Sequence, residues 1–195
     1  QPQRWLRLAS LSLVFSLAGA VVGYALGHYA FDALRPLLAS LGWLPRIDRS
    51  VRGTGLACGE QPFGWGFGVH GATLLQFDLP PLPGSFRSSF GLDKLAGPGG
   101  CVKATVHFGA ETDPPVFQSK VLTGTGEVVD TAELTWPAGG PKRLTLNVDA
   151  MVTDRPAGAD PFEVRDLADW LQPVFTVNLD QLKLILANQL PRQIS

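Results

Sequence analysis

The chain has 195 residues, of which 45% are hydrophobic and 17% are charged, and its formal net charge is −1 at pH 7. Residues 53–195 carry 10 Lys or Arg against 15 Asp or Glu, so they lack the basic surface of nucleic-acid-binding proteins. This composition excludes nucleic acid as an expected partner and leaves enough chain for one domain with a hydrophobic core.

An uncharged run from Leu8 to Phe31 predicts a transmembrane α-helix, which with its N-terminal flank makes residues 1–31 a membrane anchor. A helix of this run would be about 36 Å long, against roughly 30 Å for the hydrocarbon core of a bilayer. Gly19, Gly23 and Gly27 share one helical face and predict close packing against a partner helix; the alternative is that glycine is simply common in membrane helices.

Residues 32–52 are predicted to form a juxtamembrane linker at the bilayer surface, because Arg35-Pro36 interrupts an apolar stretch too short to span. A bare count of the flanking arginines would place the C-terminal side in the cytoplasm. We favour the opposite orientation, with a single-pass anchor and the domain in the periplasm or outside the cell, because of the type of domain that follows.

Residues 53–178 are predicted to form an antiparallel β-sandwich. Apolar and polar residues alternate over 73–79, 85–92, 102–108 and 144–150, and clusters of Pro and Gly separate these segments. Short alternating strands between such turns are typical of antiparallel sandwiches, and no long amphipathic helix intervenes to make a parallel sheet.

The order of short motifs in this region resembles the NPCBM family. The motifs are GFGVHG (66–71), a strand ending in FDLP (77–80), SFRSSFGLD (85–93), VKATVHFGA (102–110), VFQSKVL (116–122), PKRLTLNVDA (141–150) and DLADWLQP (166–173). The resemblance implies a galactose-binding-like jelly roll that serves as a non-catalytic carbohydrate-binding module in secreted or surface proteins of bacteria. His70, Asp93 and Trp170 match recurrent positions of the family, and we interpret them as packing and turn residues.

Carbohydrate sites combine exposed aromatic rings with a few well-placed polar groups. Both tyrosines of the chain lie in the apolar N-terminal run, and Trp170 lies in an alternating strand. Trp65 and Trp136, each in a turn sequence, are therefore the candidate platforms for a sugar ring.

Enzyme chemistry is not predicted. Gly66, Gly68 and Gly71 spell G-x-G-x-x-G, but a strand-like segment follows them where a dinucleotide site requires a helix. The three histidines have no zinc-site spacing, so no cofactor and no metal are expected. Six carboxylates between Asp149 and Asp169 are interpreted as a solvated acidic loop, with a structural calcium site as the alternative.

Cys58 and Cys101 are the two cysteines of the chain. They either form one disulfide, as is possible for a domain outside the cytoplasm, or remain as two buried thiols.

Residues 179–195 form a tail with leucines on one helical face and Asn178 as a possible helix cap, although Leu182, Leu184 and Leu186 would also suit a strand. Two functions follow from the whole pattern. The first is a membrane-anchored accessory subunit that binds and stabilises integral membrane subunits of a larger complex. The alternative is a surface-anchored module that binds glycans.

Overall fold

The structure is a computed structural model that describes residues 44–151 and 153–189. The chain divides into two units, residues 1–43 and residues 44–195. The predicted transmembrane helix, its Gly19, Gly23 and Gly27 face, and the first part of the 32–52 linker lie outside the described residues. Within the described part of the chain, no helix is long and apolar enough to cross a membrane.

Thirteen strands of 2 to 11 residues are found in the described part of the domain. They are β1 (Arg46–Ile47), β2 (Leu56–Cys58), β3 (Gln61–Phe63), β4 (Gly66–His70), β5 (Thr73–Asp78), β6 (Gly84–Leu92), β7 (Cys101–Phe108), β8 (Phe117–Gln118), β9 (Leu122–Thr123), β10 (Val128–Asp130), β11 (Leu134–Trp136), β12 (Arg143–Asp149) and β13 (Leu167–Val177). Two short 3₁₀ helices, Lys94–Gly99 and Glu163–Arg165, precede β7 and β13, and helix α1 (Leu179–Gln189) follows the last strand.

The strands form two main antiparallel sheets and one hairpin. The first sheet has the order β1–β4–β13–β6–β10, and β11 also pairs with β6. The second has the order β5–β12–β7–β8, and β9 also pairs with β7. Strands β2 and β3 form the hairpin. The mainly β, antiparallel architecture predicted from the sequence is therefore confirmed, and the four alternating segments are the strands β5, β6, β7 and β12.

The core lies between the two sheets and is closed by aromatic rings from both. The ring of Phe77 on β5 lies 5.5 Å from that of Phe67 on β4 and 5.9 Å from that of Phe175 on β13. Phe175 also packs against Phe86 of β6, with ring centroids 5.1 Å apart. Such contacts between rings add to the free energy gained by burying their apolar area.

The glycines of the G-x-G-x-x-G segment allow β4 to pack tightly against neighbouring backbone. Gly66 has φ +150°, and a Cβ atom there would overlap the carbonyl oxygen of Trp170. A Cβ atom at Gly68 would overlap the carbonyl oxygen of Arg49. These glycines therefore allow close packing of β4. The element that follows them is the strand β5, whereas a dinucleotide site requires a helix there.

Both cysteines are buried free thiols, which is the second of the two alternatives that the sequence left open. Cys58 on β2 packs with Leu56 and Leu171, whereas Cys101 begins β7, where its backbone N–H donates to Asp166 Oδ1 at 2.8 Å. The two side chains thus belong to different parts of the core. Burial raises the pKa of both thiols above the ordinary range of cysteine.

In the predicted tail of residues 179–195, the described part, residues 179–189, is helical. Asn178 caps α1, because its Oδ1 accepts a hydrogen bond from the backbone N–H of Gln181 at 3.0 Å. Leu179, Leu184 and Leu186 are exposed on this helix.

Candidate functional site

A groove on the outer face of the first sheet is the best candidate for a binding site. It runs along β6 and β13, on the side of the sheet that faces away from the core. Phe86 and Phe90 of β6 are fully buried, whereas Arg87 between them is exposed and Ser89 is half-buried. The alternation of β6 thus places Arg87 in the groove, beside its neighbour Val174 on β13. We call this feature the Arg87 groove.

One end of the Arg87 groove is shaped by a bulge in β13. The pairing of β13 with β6 shifts register between Leu171 and Val174, and Gln172 within the bulge has φ +49°. The backbone N–H of Gln172 donates to the carbonyl oxygen of Trp65 at 3.2 Å. The bulge therefore turns Gln172 into the groove and ties it to the Gly64-Trp65 turn, whose tryptophan is 41% exposed.

The opposite side of the groove consists of the turn between β10 and β11. Thr131 fixes this turn to β6, because its Oγ1 accepts from the backbone N–H of Ser88 at 3.0 Å and its N–H donates to the Ser88 carbonyl at 2.9 Å. Asp130 Oδ1 accepts from the backbone N–H of Ala132 at 2.6 Å. Glu133 Oε1 accepts from the Ser85 hydroxyl at 2.6 Å. Both carboxylates are therefore held in place before any ligand binds.

The Arg87 groove contains two adjoining hollows. The first has a volume of about 280 Å³ and is lined by Trp65, Arg87, Ser88, Ser89, Asp130, Gln172 and Val174. It offers the aromatic ring of Trp65, the guanidinium of Arg87 as a hydrogen-bond donor and the carboxylate of Asp130 as an acceptor. The amide of Gln172 can both donate and accept. These are the groups that recognise a hydroxyl-rich ring with an apolar face.

Of the two tryptophans predicted as sugar platforms, the structure places only Trp65 in the groove. Trp136 is 4% exposed, and its ring packs edge-on against Phe108 with centroids 5.5 Å apart. Its Nε1–H donates to the carbonyl oxygen of Leu82 at 2.8 Å. The expectation of an exposed platform at Trp136 is therefore wrong, because this ring closes one end of the core.

Sequence reasoning missed Arg87, Asp130 and Gln172. Arg87 had a weak signal, since it is a polar residue between two apolar positions of an alternating strand. Gln172 precedes Pro173, which lacks a backbone N–H and so favours an irregularity in the strand. Nothing in the sequence near Asp130 connects it with either residue.

His70, Asp93 and Trp170 all lie inside the domain and away from the Arg87 groove. Trp170 is fully buried, with its ring centroid 4.8 Å from that of Phe90. His70 Nδ1 is 3.0 Å from the carbonyl oxygen of Gly71. Asp93 caps the first 3₁₀ helix by accepting from the backbone N–H of Leu95 at 2.7 Å.

Asp93 has a buried neighbour of the same charge, Asp169 on β13. Burial, and then the negative charge of Asp93, raise the pKa of Asp169 to about 9. Burial also raises the pKa of Asp93, while the Leu95 N–H and the charge of Arg52 oppose that rise. Two buried carboxyl groups this close favour a state in which at least one of them is protonated.

The acidic segment before β13 is held by arginines. Arg155 Nη1 and Nη2 donate to the two oxygens of the fully buried Asp166 at 2.8 and 2.9 Å. Asp160 pairs with Arg165 at 3.1 Å. Among residues 44–151 and 153–189, no group of three or more His, Cys, Asp or Glu side chains is arranged to hold a metal ion.

The two packed antiparallel sheets define this part of the chain as a β-sandwich domain. The family model of the NPCBM/NEW2 domain matches residues 27–176, and the chain belongs to this family. No curated protein matched the chain.

Solved structures with a similar fold come from Clostridium perfringens. A CBM51 from GH95 in complex with methyl-galactose is 18% identical, with a TM-score of 0.52, over 72% of this chain and 97% of that one. A ZmpB fragment containing CBM51-2 in complex with GlcNAc is 20% identical, with a TM-score of 0.52, over 79% of this chain and 35% of that one. A larger ZmpB fragment, with its M60 catalytic domain and two CBM51 domains, is 22% identical with a TM-score of 0.52; the match covers 72% of this chain but only 15% of that one.

Proposed function

We propose that this protein is a non-catalytic glycan-binding module and that the first hollow of the Arg87 groove holds a sugar ring. The observation that carries the proposal is the position of Trp65. Of the three tryptophans in the described residues it alone is exposed, and it stands beside Arg87, Asp130 and Gln172. Fold similarity to modules solved with methyl-galactose and GlcNAc supports glycan binding over the accessory-subunit alternative, for which the comparisons give no support.

Each group in the hollow has a distinct role in this proposal. The indole of Trp65 packs against the apolar face of the sugar ring, which removes apolar area from water. Arg87 donates hydrogen bonds to ring hydroxyls, Asp130 accepts from them, and the Gln172 amide does both. Since the Asp130 carboxylate is already held by the backbone N–H of Ala132, little of its side-chain entropy is lost on binding, whereas the hydrogen bond of Gln172 to Trp65 fixes its backbone only.

Display outside the cytoplasm belongs to the same proposal. The uncharged run from Leu8 to Phe31 would anchor the module to a membrane, and glycan ligands are abundant on cell surfaces. Protease or biotin labelling of intact cells would reach Lys94 and Lys120, which are exposed, if the domain lies outside. Labelling only after lysis would contradict this placement.

Trp65→Ala is expected to weaken sugar binding about tenfold, or ~1.4 kcal/mol, because the ring no longer has an apolar surface to stack on. Isothermal titration calorimetry of the full 195-residue chain in mild detergent, with methyl-galactose and N-acetylglucosamine, measures the change.

The matched control is Leu74→Ala, because Leu74 is also 41% exposed but lies on β5 in the second sheet. Its affinity should equal that of the wild type. Equal affinities for Trp65→Ala and the wild type, or an equal loss in both variants, would count against the groove as the sugar site.

A further inference from the structure

The Arg87 groove continues beyond the hollow that contains Trp65. A second hollow of about 270 Å³ shares Arg87, Asp130 and Val174 with the first and extends along β13 to Thr176, beside Ala132 and Glu133. Residues 172, 174 and 176 follow one another along the groove, a span of roughly 13 Å at about 3.3 Å per residue. Small-molecule sites are usually about 300–1,000 Å³, and each hollow is slightly smaller than this range, so each suits one ring.

The charges in the groove are unequal. Two carboxylates, Asp130 and Glu133, flank the single guanidinium of Arg87. No side chain in residues 44–151 or 153–189 forms an ion pair with Arg87, so its donors remain available to a ligand. A hydroxyl both donates and accepts, and it can therefore bridge the guanidinium and a carboxylate. A ligand carboxylate can only accept, and it would meet repulsion from Asp130 and Glu133.

We propose, building on the glycan-binding function, that the Arg87 groove binds a neutral glycan of at least two sugar units. One unit occupies the Trp65 hollow and the next occupies the hollow between Glu133 and Thr176, with Arg87 at the junction. The fixed position of Glu133, through its 2.6 Å hydrogen bond from Ser85, provides the second unit with an acceptor that needs no rearrangement.

The first test compares a disaccharide with its monosaccharide. Calorimetry of the full chain in mild detergent uses lactose against methyl-galactose and chitobiose against N-acetylglucosamine. In the wild type, one of the disaccharides is expected to bind about tenfold more tightly than the corresponding monosaccharide. In Thr176→Phe, the added ring fills the second hollow. The ratio of disaccharide affinity to monosaccharide affinity is therefore expected to fall below about threefold.

Thr123→Phe is the control, since Thr123 is an exposed threonine of strand β9 outside both hollows. It should keep the wild-type ratio. Monosaccharide binding with no gain from a second unit, or the same ratio in Thr176→Phe and the wild type, overturns the two-unit inference and leaves the glycan-binding function standing. No binding of any of these sugars to the wild type overturns the glycan-binding function, and the inference with it.

The second test addresses charge. At low salt, a disaccharide of glucuronic acid and N-acetylglucosamine is expected to bind at least about threefold more weakly than chitobiose. Glu133→Gln should reduce this difference, because one of the two repelling charges is removed. Equal affinity of the two disaccharides for the wild type would overturn the preference for neutral glycans.

Discussion

Asp166→Ala is expected to lower the free energy of unfolding by about 3–5 kcal/mol, the range found when one partner of a buried ion pair is removed. Asp166 is fully buried and accepts from Arg155 through both oxygens, and its Oδ1 also accepts from the backbone N–H of Cys101. Without it, a guanidinium that is 9% exposed would lose its counter-charge, and the start of β7 would lose an acceptor. Urea denaturation of the full chain measures the change.

The control for this prediction is Asp160→Ala, because Asp160 pairs with Arg165 at the surface, where both side chains are about half exposed. Exposed pairs contribute about 0–1 kcal/mol, so the control should remain close to the wild type. Asp166→Asn offers a graded variant that keeps an acceptor for Cys101 but removes the charge. Similar stability for Asp166→Ala and Asp160→Ala would show that the buried pair does not stabilise the fold.

The contribution of Asp169 to the free energy of unfolding is expected to fall as pH rises from about 4 to about 9, by up to about 1.4 kcal/mol per pH unit. In the folded protein burial and the charge of Asp93 raise its pKa to about 9, whereas in the unfolded chain its ordinary value of 3.8 applies. Between these two values the folded protein holds a proton that the unfolded chain has released. The contribution is thus fully present below about pH 4 and is lost as pH rises toward 9.

Asp169→Asn separates this effect from other pH dependence, because an amide has nearly the shape of the protonated carboxyl and does not titrate. Its unfolding free energy should change less between pH 5 and pH 8 than that of the wild type, and it should exceed the wild-type value at pH 8. Asp78→Asn, at a side chain that is 89% exposed, is the control and should keep the wild-type slope. Parallel slopes for Asp169→Asn and the wild type would show that Asp169 is ionised in the folded protein.

The sequence predicted the parts of the fold in which one face of a strand is buried. In β7, the buried residues Val102, Ala104 and Val106 alternate with half-buried Lys103 and Thr105, and this is the period-two pattern that a sheet over a core imposes. The strands of two or three residues, such as β8 and β10, are too short to show a period. Their existence depends on pairing with long strands, which the sequence does not reveal locally.

The site was less predictable than the fold because it depends on contacts between distant segments. Trp65 and Trp136 both lie in turn-like sequences, yet Trp65 is exposed, whereas Trp136 is buried and donates a hydrogen bond to the carbonyl oxygen of Leu82, 54 residues away. Asp130 faces Arg87 only because β10 pairs with β6 across 41 residues, as the Ser89 and Asp130 pairing shows. Local patterns carry no information about such distances.

The position of β13 has a consequence for how the chain reaches its native state. This strand comes last among the strands in sequence but lies between β4 and β6 in the first sheet. During synthesis, β4 and β6 therefore emerge with unpaired edges, and neither edge is covered until residues 167–177 have been made. Pairing across such separations is slow, and open strand edges are sites of aggregation. A chain truncated before Leu167 would therefore keep the edges of β4 and β6 unpaired and would be prone to aggregation.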